Sequence, residues 1–436
     1  MVLFIKCCAQ RRRAINILAE HSRQRGVEGH SFIKKSEDSV MKTLNQKLLR
    51  VLALTLLLLP TTTAFAEEAG SKHKYFSGDF RLRYESASQD NALPDADALT
   101  FRSRLAIKSP SYSGFSGLVE VENVFALIDD FAVPVVGDRL GEFSVIADPD
   151  VTEIDQAFVQ YKNDNFSAKL GRQVLTLDGH RFIGHVGWRQ DRQTFDGLVV
   201  NYKTGGFDIN FSYLDKRNRI FADDGDIDSS DTILNTSYAT PIGKLTGYAY
   251  LLEVDANDTS LDTYGVSLRG SRDYDGTKLI YGAELAQQET GTDLSTDYLQ
   301  LELGLTYAGV TGKISYELLS SDNGAVGFAT PLATLHKFNG WTDQFLATPA
   351  QGLEEFAFRL SGNFQGGKWL AVYQDFSSDE NLDGADDLGS EVGVQYTRKI
   401  YKKIAGGIKY SDYSAGNSAF NRVDTQRFWL WAGYKF

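Results

Sequence analysis

Sulfur-containing residues are almost absent from this chain of 436 residues. Its two cysteines, Cys7 and Cys8, and its two methionines, Met1 and Met41, all lie in the first tenth of the sequence. The remainder of the chain therefore cannot contain a disulfide scaffold, a cysteine-ligated zinc or iron–sulfur site, or a cysteine nucleophile.

Long apolar runs are missing as well. No stretch reaches the roughly 18 uninterrupted apolar residues that a membrane-spanning helix requires, which excludes a bundle of transmembrane helices. A helical periodicity of 3.6 residues is not sustained anywhere in the chain. A soluble chain of this length would usually form two or three domains, but the pattern that is present points elsewhere.

Residues 41–66 have the organisation of a signal peptide for Sec-type export. Met41 is followed by basic residues and then by an apolar run rich in leucine. The small-x-small triplet Ala64-Phe65-Ala66 predicts cleavage before Glu67. The alternative, a short membrane anchor, is disfavoured because the apolar run is brief and a cleavage signal follows it.

Residues 1–40 precede this signal peptide, which should itself begin the chain. The stretch is basic and patternless, so we interpret it as a mispredicted extension and expect translation to begin at Met41. Removing residues 1–66 takes away 11 Lys+Arg and 4 Asp+Glu, which changes the net charge from −12 to −19 over 370 residues. An acidic mature chain, residues 67–436, disfavours nucleic acid as a partner, because nucleic-acid binding needs a basic face.

From residue 76 onward the sequence alternates with a period of two. In residues 76–84, Phe80 and Leu82 lie on one face, and Arg81 and Arg83 lie on the other. The same alternation recurs along the whole chain, always with one apolar and one polar or charged face. This pattern is typical of β-strands.

Eighteen such segments can be counted, and their connections alternate between short and long. The segments are centred near residues 80, 103, 120, 156, 169, 196, 210, 235, 249, 266, 283, 301, 316, 358, 372, 394, 407 and 430. The alternation predicts a transmembrane antiparallel up-and-down β-barrel of about 18 strands, with tight turns at one end and long loops at the other.

A soluble β-sandwich or propeller is the competing interpretation. A sandwich would not need its polar face to be so consistently charged. An arginine that faces lipid at mid-membrane costs about 2–4 kcal/mol, so in a barrel Arg81, Arg83, Arg102 and Arg104 must face inward. A barrel of this size encloses a lumen that side chains do not fill, and the arginines would line water.

The last segment adds a further indication. Alternate positions from Phe428 to Phe436 are apolar or aromatic, and the chain stops at Phe436. This ending resembles the C-terminal strand that outer-membrane β-barrels present to the barrel-assembly machinery. Aromatic residues near other strand ends suit an interfacial girdle in contact with outer-membrane lipid and lipopolysaccharide.

Three segments resemble the alginate-export family of outer-membrane β-barrel porins. They are the sequence LGRQVLTLDGHRFIGHVGWRQDRQTFDGLVVNY at 170–202, the segment 331–356, and the FRLRYE…FRSRL pairing at 80–105. The resemblance runs along residues 67–436. It implies an 18-stranded barrel in the Gram-negative outer membrane whose lumen passes anionic carbohydrate, such as an alginate-like polysaccharide, or small acidic solutes.

Arginines on the non-lipid faces are the candidate pore-lining and anion-binding residues. Their planar guanidinium groups pair bidentately with carboxylates, and a ring of positive charge selects anions. The alternative is that they pair with lumenal acids such as Glu85, Glu120, Glu122, Glu153 and Asp155 and brace the wall. The candidates are Arg81, Arg83, Arg102, Arg104, Arg172, Arg189, Arg192 and Arg359.

The long connection 176–191 is the candidate constriction loop. Its glycines, Gly179, Gly184 and Gly187, indicate a backbone that folds tightly against the wall. An acid–base pair or a metal site formed by its histidines is the alternative, but we expect no catalytic residue, no metal and no cofactor. The candidate constriction residues are Asp178, His180, Arg181, His185 and Trp188.

Two other loops have sequences that suggest a calcium site and a short helix. Asp379, Asn381 and Asp383 match the first half of a calcium-binding loop, but the twelfth position is Ser390 rather than Glu. The long connection 320–352 is expected to carry a short helix over the pore mouth.

We therefore expect a passive outer-membrane channel and not an enzyme. The alternative function is a barrel enzyme of the phospholipase or protease type. It would need a nucleophile and a base on the barrel wall or rim, and only His73, His180, His185 and His336 follow the signal peptide.

Overall fold

The computed structural model describes residues 75–257 and 259–436, which form 18 strands and four short 3₁₀ helices. The predicted signal peptide, residues 41–66, and the extension before it lie outside the described residues. All 18 predicted segment centres fall inside a strand, so the all-β prediction is confirmed. No helix in the described part of the chain is long and apolar enough to span a membrane.

The strands are antiparallel to their neighbours and are 8 to 17 residues long. They are β1 (Phe76–Gln89), β2 (Ala96–Lys108), β3 (Phe115–Asp130), β4 (Val151–Lys162), β5 (Phe166–Gln173), β6 (Thr194–Thr204), β7 (Phe207–Asn218), β8 (Ile227–Thr240), β9 (Gly243–Val254), β10 (Thr259–Tyr274), β11 (Thr277–Thr290), β12 (Ser295–Tyr307), β13 (Val310–Leu319), β14 (Leu353–Phe364), β15 (Gly367–Leu382), β16 (Ala385–Tyr401), β17 (Ile404–Ala415) and β18 (Thr425–Lys435).

The sheet closes on itself because β1 pairs with β18 as well as with β2. The register places Arg83 opposite Trp431 and Asp79 opposite Lys435. The ladder extends to the last residue, since the Phe436 amide donates to the Gly78 carbonyl at 3.0 Å. The result is a barrel without an edge strand, which is the form in which β-strands can cross a membrane.

The alternation of the sequence separates an outer apolar face from a polar lumen. On β12, Leu301 and Leu303 are 46% and 50% exposed on the outer face. Gln300, which lines a lumenal cavity, is 8% exposed. The side chains of Arg83, Arg102 and Arg104 point inward and are at most 5% exposed. These three arginines therefore do not face the outer surface.

The two ends of the barrel differ: the eight connections at one end have two to six residues, and the nine at the other end include the long ones, 131–150, 174–193 and 320–352. The strands are longer than the sequence pattern indicated. The predicted loop 377–389 is mostly a strand hairpin in which β15 and β16 are joined by Asp383 and Gly384. Polar strand ends that extend beyond the apolar band have no period-two contrast, so the pattern did not reveal them.

The candidate calcium-binding residues Asp379, Asn381 and Asp383 lie in this hairpin. Asp383 and Gly384 both have positive φ, 53° and 82°, as in a type I′ hairpin turn. The Asp379 carboxylate accepts a hydrogen bond from the Ser321 amide at 2.8 Å. Among the described residues there is no group of three or more potential ligand side chains arranged to hold a metal ion.

Substitution of Gly78 tests the closure of the barrel. A Cβ atom at Gly78 would lie 2.3 Å from the Phe436 ring, so Gly78→Leu must displace the terminal side chain. We expect the free energy of unfolding to fall by about 1–3 kcal/mol, measured by urea unfolding in detergent micelles. Gly247→Leu is the control, because no atom lies within 4 Å of its Cβ position; equal stability of both variants would contradict the prediction.

Candidate pore constriction and basic vestibule

The connection between β5 and β6, residues 174–193, folds into the lumen and is called the constriction loop below. Several of its side chains are buried, including Arg181, Ile183 and Gln190 at 4%, 1% and 0% exposure. Gly184 lies so close to the opposite loop that a Cβ atom there would be 2.3 Å from Thr334 Oγ1. The expectation of an inward-folded loop agrees with this geometry.

The connection between β13 and β14, residues 320–352, also folds inward and is called the opposing loop. The Gly184 amide donates to the Leu332 carbonyl at 2.8 Å, and the Thr334 amide donates to the His180 carbonyl at 3.1 Å. Its one-turn 3₁₀ helix, Leu335–Lys337, matches the predicted short helix. The helix packs against the constriction loop inside the barrel, since Lys337 Nζ donates to the Gly179 carbonyl at 2.7 Å.

A third connection, residues 131–150 between β3 and β4, completes the inward-folded set. Phe131, Val133 and Ile146 pack against small residues on the inner wall, such as Ala87 and Ala98. The alanines leave room for a loop where larger side chains would fill the space. Asp148 of this loop accepts a hydrogen bond from the Gln190 amide at 2.8 Å and contacts Arg83.

Glu85 on β1 is the centre of a buried ion-pair network that fastens these loops to the wall. Arg189 donates to both of its carboxylate oxygens at 3.1 Å, and Arg427 on β18 donates to one of them at 3.0 Å. Arg83 lies 3.3 Å from the same carboxylate. Arg189 also donates to Asp343 of the opposing loop at 2.6 Å. Glu85 thus connects β1 and β18 to the constriction loop, and Arg189 extends the connection to the opposing loop.

A cluster of aromatic side chains lies beside this network. Trp188 of the constriction loop stacks on His336 of the opposing loop with ring centroids 4.9 Å apart. The ammonium of Lys409 on β17 lies 3.9 Å from the Trp341 ring centroid and 4.3 Å from that of Trp188. Because cations are attracted to the faces of aromatic rings, Lys409 holds both loops against the wall.

His336 is hydrogen-bonded on both ring nitrogens. Its Nδ1 lies 2.7 Å from Asp343 Oδ1, and its Nε2 lies 2.7 Å from Lys409 Nζ. Burial lowers the pKa of His336 to about 3, although Asp343 acts in the opposite direction. The imidazole is therefore neutral at neutral pH, so Nδ1 donates to Asp343 and Nε2 accepts from Lys409.

The remaining predicted constriction residues have separate roles in the structure. Asp178 accepts a hydrogen bond from Lys244 at 2.8 Å. Arg181 donates to Glu317 at 2.7 Å. The rings of His180 and His185 meet edge-on at 5.0 Å, and burial lowers the pKa of His185 to about 4. These contacts hold the loop in place and do not assemble an acid–base pair from Asp178 and His180.

A cavity of about 850 Å³, called the basic vestibule below, opens between the constriction loop and the end of the barrel that carries the tight turns. Its described lining includes ten arginines and lysines and one carboxylate, Asp79. Asp79 is already paired with Arg102 at 2.8 Å and with Lys435 at 3.0 Å. The cationic residues are Arg81, Arg102, Arg104, Arg192, Lys368, Arg398, Lys399, Lys402, Lys403 and Lys435.

The predicted pore-lining arginines are divided among different places. Arg81, Arg102, Arg104 and Arg192 line the basic vestibule, and Arg359 lines a second cavity of about 570 Å³. That second cavity has a mixed lining in which Arg181, Lys313 and other cations alternate with Glu302, Glu317 and Glu355. The three arginines that line neither cavity are Arg83, Arg172 and Arg189.

Most of these arginines have a carboxylate partner. Their partners are Asp148 and Glu85 for Arg83, Asp79 for Arg102, Glu122 and Asp155 for Arg104, Asp196 for Arg172, Glu85 and Asp343 for Arg189, Glu120 and Asp155 for Arg192, and Glu355 for Arg359. Arg81 differs, because no described carboxylate lies within 4.0 Å of it. It donates to Gln190 Oε1 at 2.7 Å and to backbone carbonyls of the constriction loop.

The sequence interpretation missed the lysines of the basic vestibule. The segment RKIYKK at 398–403 contributes four of the cations. Lys368 lies at the start of β15 and Lys435 at the end of β18. The density of positive charge in one short turn was the available indication that this end of the barrel is basic.

The barrel is similar in fold to several solved structures. OccK9 (OpdG) of Pseudomonas aeruginosa is similar with a TM-score of 0.66 and 16% identity, over 83% of this chain and 97% of that chain. OccAB4 of Acinetobacter baumannii gives a TM-score of 0.64 and 14% identity, over 84% and 100%. The outer membrane protein OpdK of Pseudomonas aeruginosa gives 0.64 and 12%, over 83% and 98%.

Residues 137–307 match the family model described as alginate export. This span includes residues 170–202, one of the three segments that carry the sequence resemblance. The match confirms that the chain resembles the alginate-export family. No curated protein sequence matches the chain.

Substitution of Glu85 tests the buried ion-pair network. Glu85→Gln leaves Arg83, Arg189 and Arg427 without their shared charge partner. We expect the free energy of unfolding to fall by about 3–5 kcal/mol, because three buried arginines would then share two carboxylates, Asp148 and Asp343, and one buried charge would be uncompensated. We also expect single-channel currents in planar bilayers to become noisier, since the loops lose a common attachment.

Glu302→Gln is the matched control for this variant. It breaks a lumenal pair with Lys313 whose side chains are 20% and 31% exposed. An exposed pair of this kind contributes at most about 1 kcal/mol. If the two variants lose equal stability, the network around Glu85 does not fasten the loops.

The low pKa of His336 predicts a pH-dependent stability. Between pH 6.5 and 4 the unfolded chain protonates this histidine and the folded chain does not, so acid favours unfolding. The contribution is about 1.4 kcal/mol per pH unit for one proton. We expect His336→Gln to flatten the plot of unfolding free energy against pH over this range, measured by urea unfolding; parallel plots would contradict the assignment of a neutral His336.

Proposed function

We propose that the protein is an outer-membrane channel that passes anionic polysaccharide of an alginate-like kind, or small acidic solutes. The observation that carries the proposal is the composition of the basic vestibule, where ten cationic side chains surround a cavity with one carboxylate among its described lining residues. Rings of positive charge in a narrow pore attract anions and repel cations.

The source of the positive field differs from the one that the sequence suggested. Seven of the eight candidate arginines are compensated by carboxylates, so each contributes little net charge. No described carboxylate lies within 4.0 Å of six cations of the basic vestibule, which are Arg81, Lys368, Arg398, Lys399, Lys402 and Lys403. These residues supply the uncompensated charge, and they lie at the turn end, which faces the periplasm in barrels of this kind.

Two similarities to other proteins support an acidic solute. The matched family is described as alginate export, and alginate is a polymer of carboxylate-bearing sugars. OpdK, which has a similar barrel fold at 11% identity and a TM-score of 0.63, has a crystal structure with vanillate, an aromatic carboxylate. Both compounds carry the functional group that arginine and lysine pair with most readily.

The proposed location and partners follow from the same architecture. The apolar outer face would contact outer-membrane lipid and lipopolysaccharide, after export directed by the signal peptide at 41–66. The barrel-assembly machinery would recognise the last strand, whose terminal Phe436 packs against Phe76 and Phe80 at ring distances of 5.6 and 6.1 Å.

We propose a passive pore and not an enzyme. The pair formed by Asp343 and His336 has the arrangement of a general base, but His336 is 4% exposed and its Nε2 contacts Lys409. A nucleophile in a catalytic triad would occupy that position. Lys409 therefore occupies the place that a nucleophile would take beside this pair.

Reversal potentials in planar bilayers under a salt gradient test the proposal. We expect the wild-type pore to favour chloride over potassium. The triple variant Lys399→Gln, Lys402→Gln and Lys403→Gln should move the permeability ratio toward unity, because it removes three uncompensated charges from the basic vestibule.

The matched control removes three lysines from other turns at the same end of the barrel. Lys108→Gln, Lys162→Gln and Lys203→Gln change the net charge equally, but these residues do not line the basic vestibule. Selectivity should remain close to that of the wild type. A cation-selective wild-type pore, or a non-conducting barrel with esterase or protease activity, would overturn the proposed function.

A further inference from the structure

Trp431 is an aromatic residue on the wall of the basic vestibule. It lies on the inner face of β18 and lines the cavity together with Arg81 and Arg102. Trp429, the next inward residue on the same strand, is 0% exposed, whereas Trp431 is partly exposed. A large apolar surface therefore faces a cavity whose other walls are strongly cationic.

The position of the Trp431 ring is fixed by its neighbours. Gly407 on β17 lies opposite Trp431 in the register, and a Cβ atom there would be 2.4 Å from the indole ring. The indole therefore lies across the adjacent strand at a place where any other residue would obstruct it. Trp188 of the constriction loop meets it edge-on at 5.3 Å. The ring is thus oriented before any solute arrives.

Two guanidinium groups are anchored next to this ring. Arg81 lies opposite Gly433, two residues from Trp431, and Arg102 lies opposite Arg81 on the other side. Diagonal neighbours of this kind have Cβ atoms about 7–8 Å apart. Gly433 has no side chain, so nothing on β18 separates the indole from Arg81.

Arg81 retains the capacity to bind a further acceptor. Its three hydrogen bonds go to Gln190 and to the carbonyls of Gly187 and Arg189, which leaves two of the five guanidinium N–H groups. None of the described carboxylates lies within 4.0 Å of it. An acid in the cavity would therefore supply the charge that this residue lacks.

We propose that Trp431, Arg81 and Arg102 form a subsite for a ring that carries a carboxylate, such as a uronic acid residue. The carboxylate pairs with the guanidinium groups, and the apolar C–H face of the sugar ring lies on the indole. This inference rests on the proposed function and adds to it. It makes Trp431 a specificity-determining residue that distinguishes cyclic acids from open-chain acids of equal charge.

Two probes of nearly equal size distinguish the contribution of the sugar ring to binding from that of the carboxylate charge. Glucuronate has a pyranose ring and a carboxylate, whereas gluconate is an open-chain six-carbon carboxylate. Each is added on the turn side of a single pore in a planar bilayer, and its dissociation constant is obtained from the block of the chloride current. We expect the wild-type pore to bind glucuronate more tightly than gluconate.

Variants then assign the difference to Trp431. Trp431→Ala should weaken glucuronate binding by roughly 3- to 10-fold, the amount expected for one aromatic contact, and should leave gluconate binding unchanged. Trp431→Phe should retain part of the preference. Trp369→Ala is the matched control, because Trp369 also packs on a cross-strand glycine, Gly362, but on the outer face of the barrel.

The possible outcomes are distinguishable. Equal block by glucuronate and gluconate in an anion-selective wild-type pore would overturn the subsite and leave the proposed function standing. Equal losses for both probes in Trp431→Ala would show that the residue shapes the pore without recognising a ring. A cation-selective pore that neither probe blocks would overturn the proposed function itself.

Discussion

A strand in lipid must pair every backbone N–H and C=O group with another strand, and this requirement organises the whole molecule. The pairing of β1 with β18 satisfies it and removes the two edges of the sheet. Once the sheet is closed, each strand has one face toward lipid and one toward the lumen. The charged residues have to share the interior, and their mutual pairing becomes the next physical problem.

In this structure, loops that fold into the lumen supply partners for the charged residues. Carboxylates on the wall attract arginines from the constriction loop, and Glu85 joins Arg189 to Arg427 within one buried network. Buried ion pairs of this kind add little net stability, but they are costly to break, so they define where the loops lie. Most of the candidate arginines are neutralised in this way, and the cations without a described carboxylate partner lie at the turn end.

The sequence predicted which faces of the strands turn inward, but it did not predict how each arginine is paired. The alternation around Arg81 and Arg83 predicted inward-facing strands, and the glycines of the constriction loop predicted its close approach to its surroundings. The same sequence could not separate structural from solute-facing arginines. Arg83 and Arg81 are two positions apart on one strand, yet Asp148 and Glu85 neutralise the first, while backbone carbonyls surround the second. Glu85 lies on the same strand, but the other partners come from loops more than 60 residues away in the chain.

The scarcity of sulfur, the absence of long apolar runs and the two-residue alternation were sufficient to specify a barrel, its strand number and the side of each strand that faces lipid, because these properties depend on local periodicity. The tertiary structure alone decided which cations have no described carboxylate partner. It also decided that Lys409 packs among tryptophans and that Trp431 lies beside Arg81, because these contacts depend on which loops meet inside the closed lumen. Those contacts join residues that are distant in sequence, and only the closed barrel brings them together.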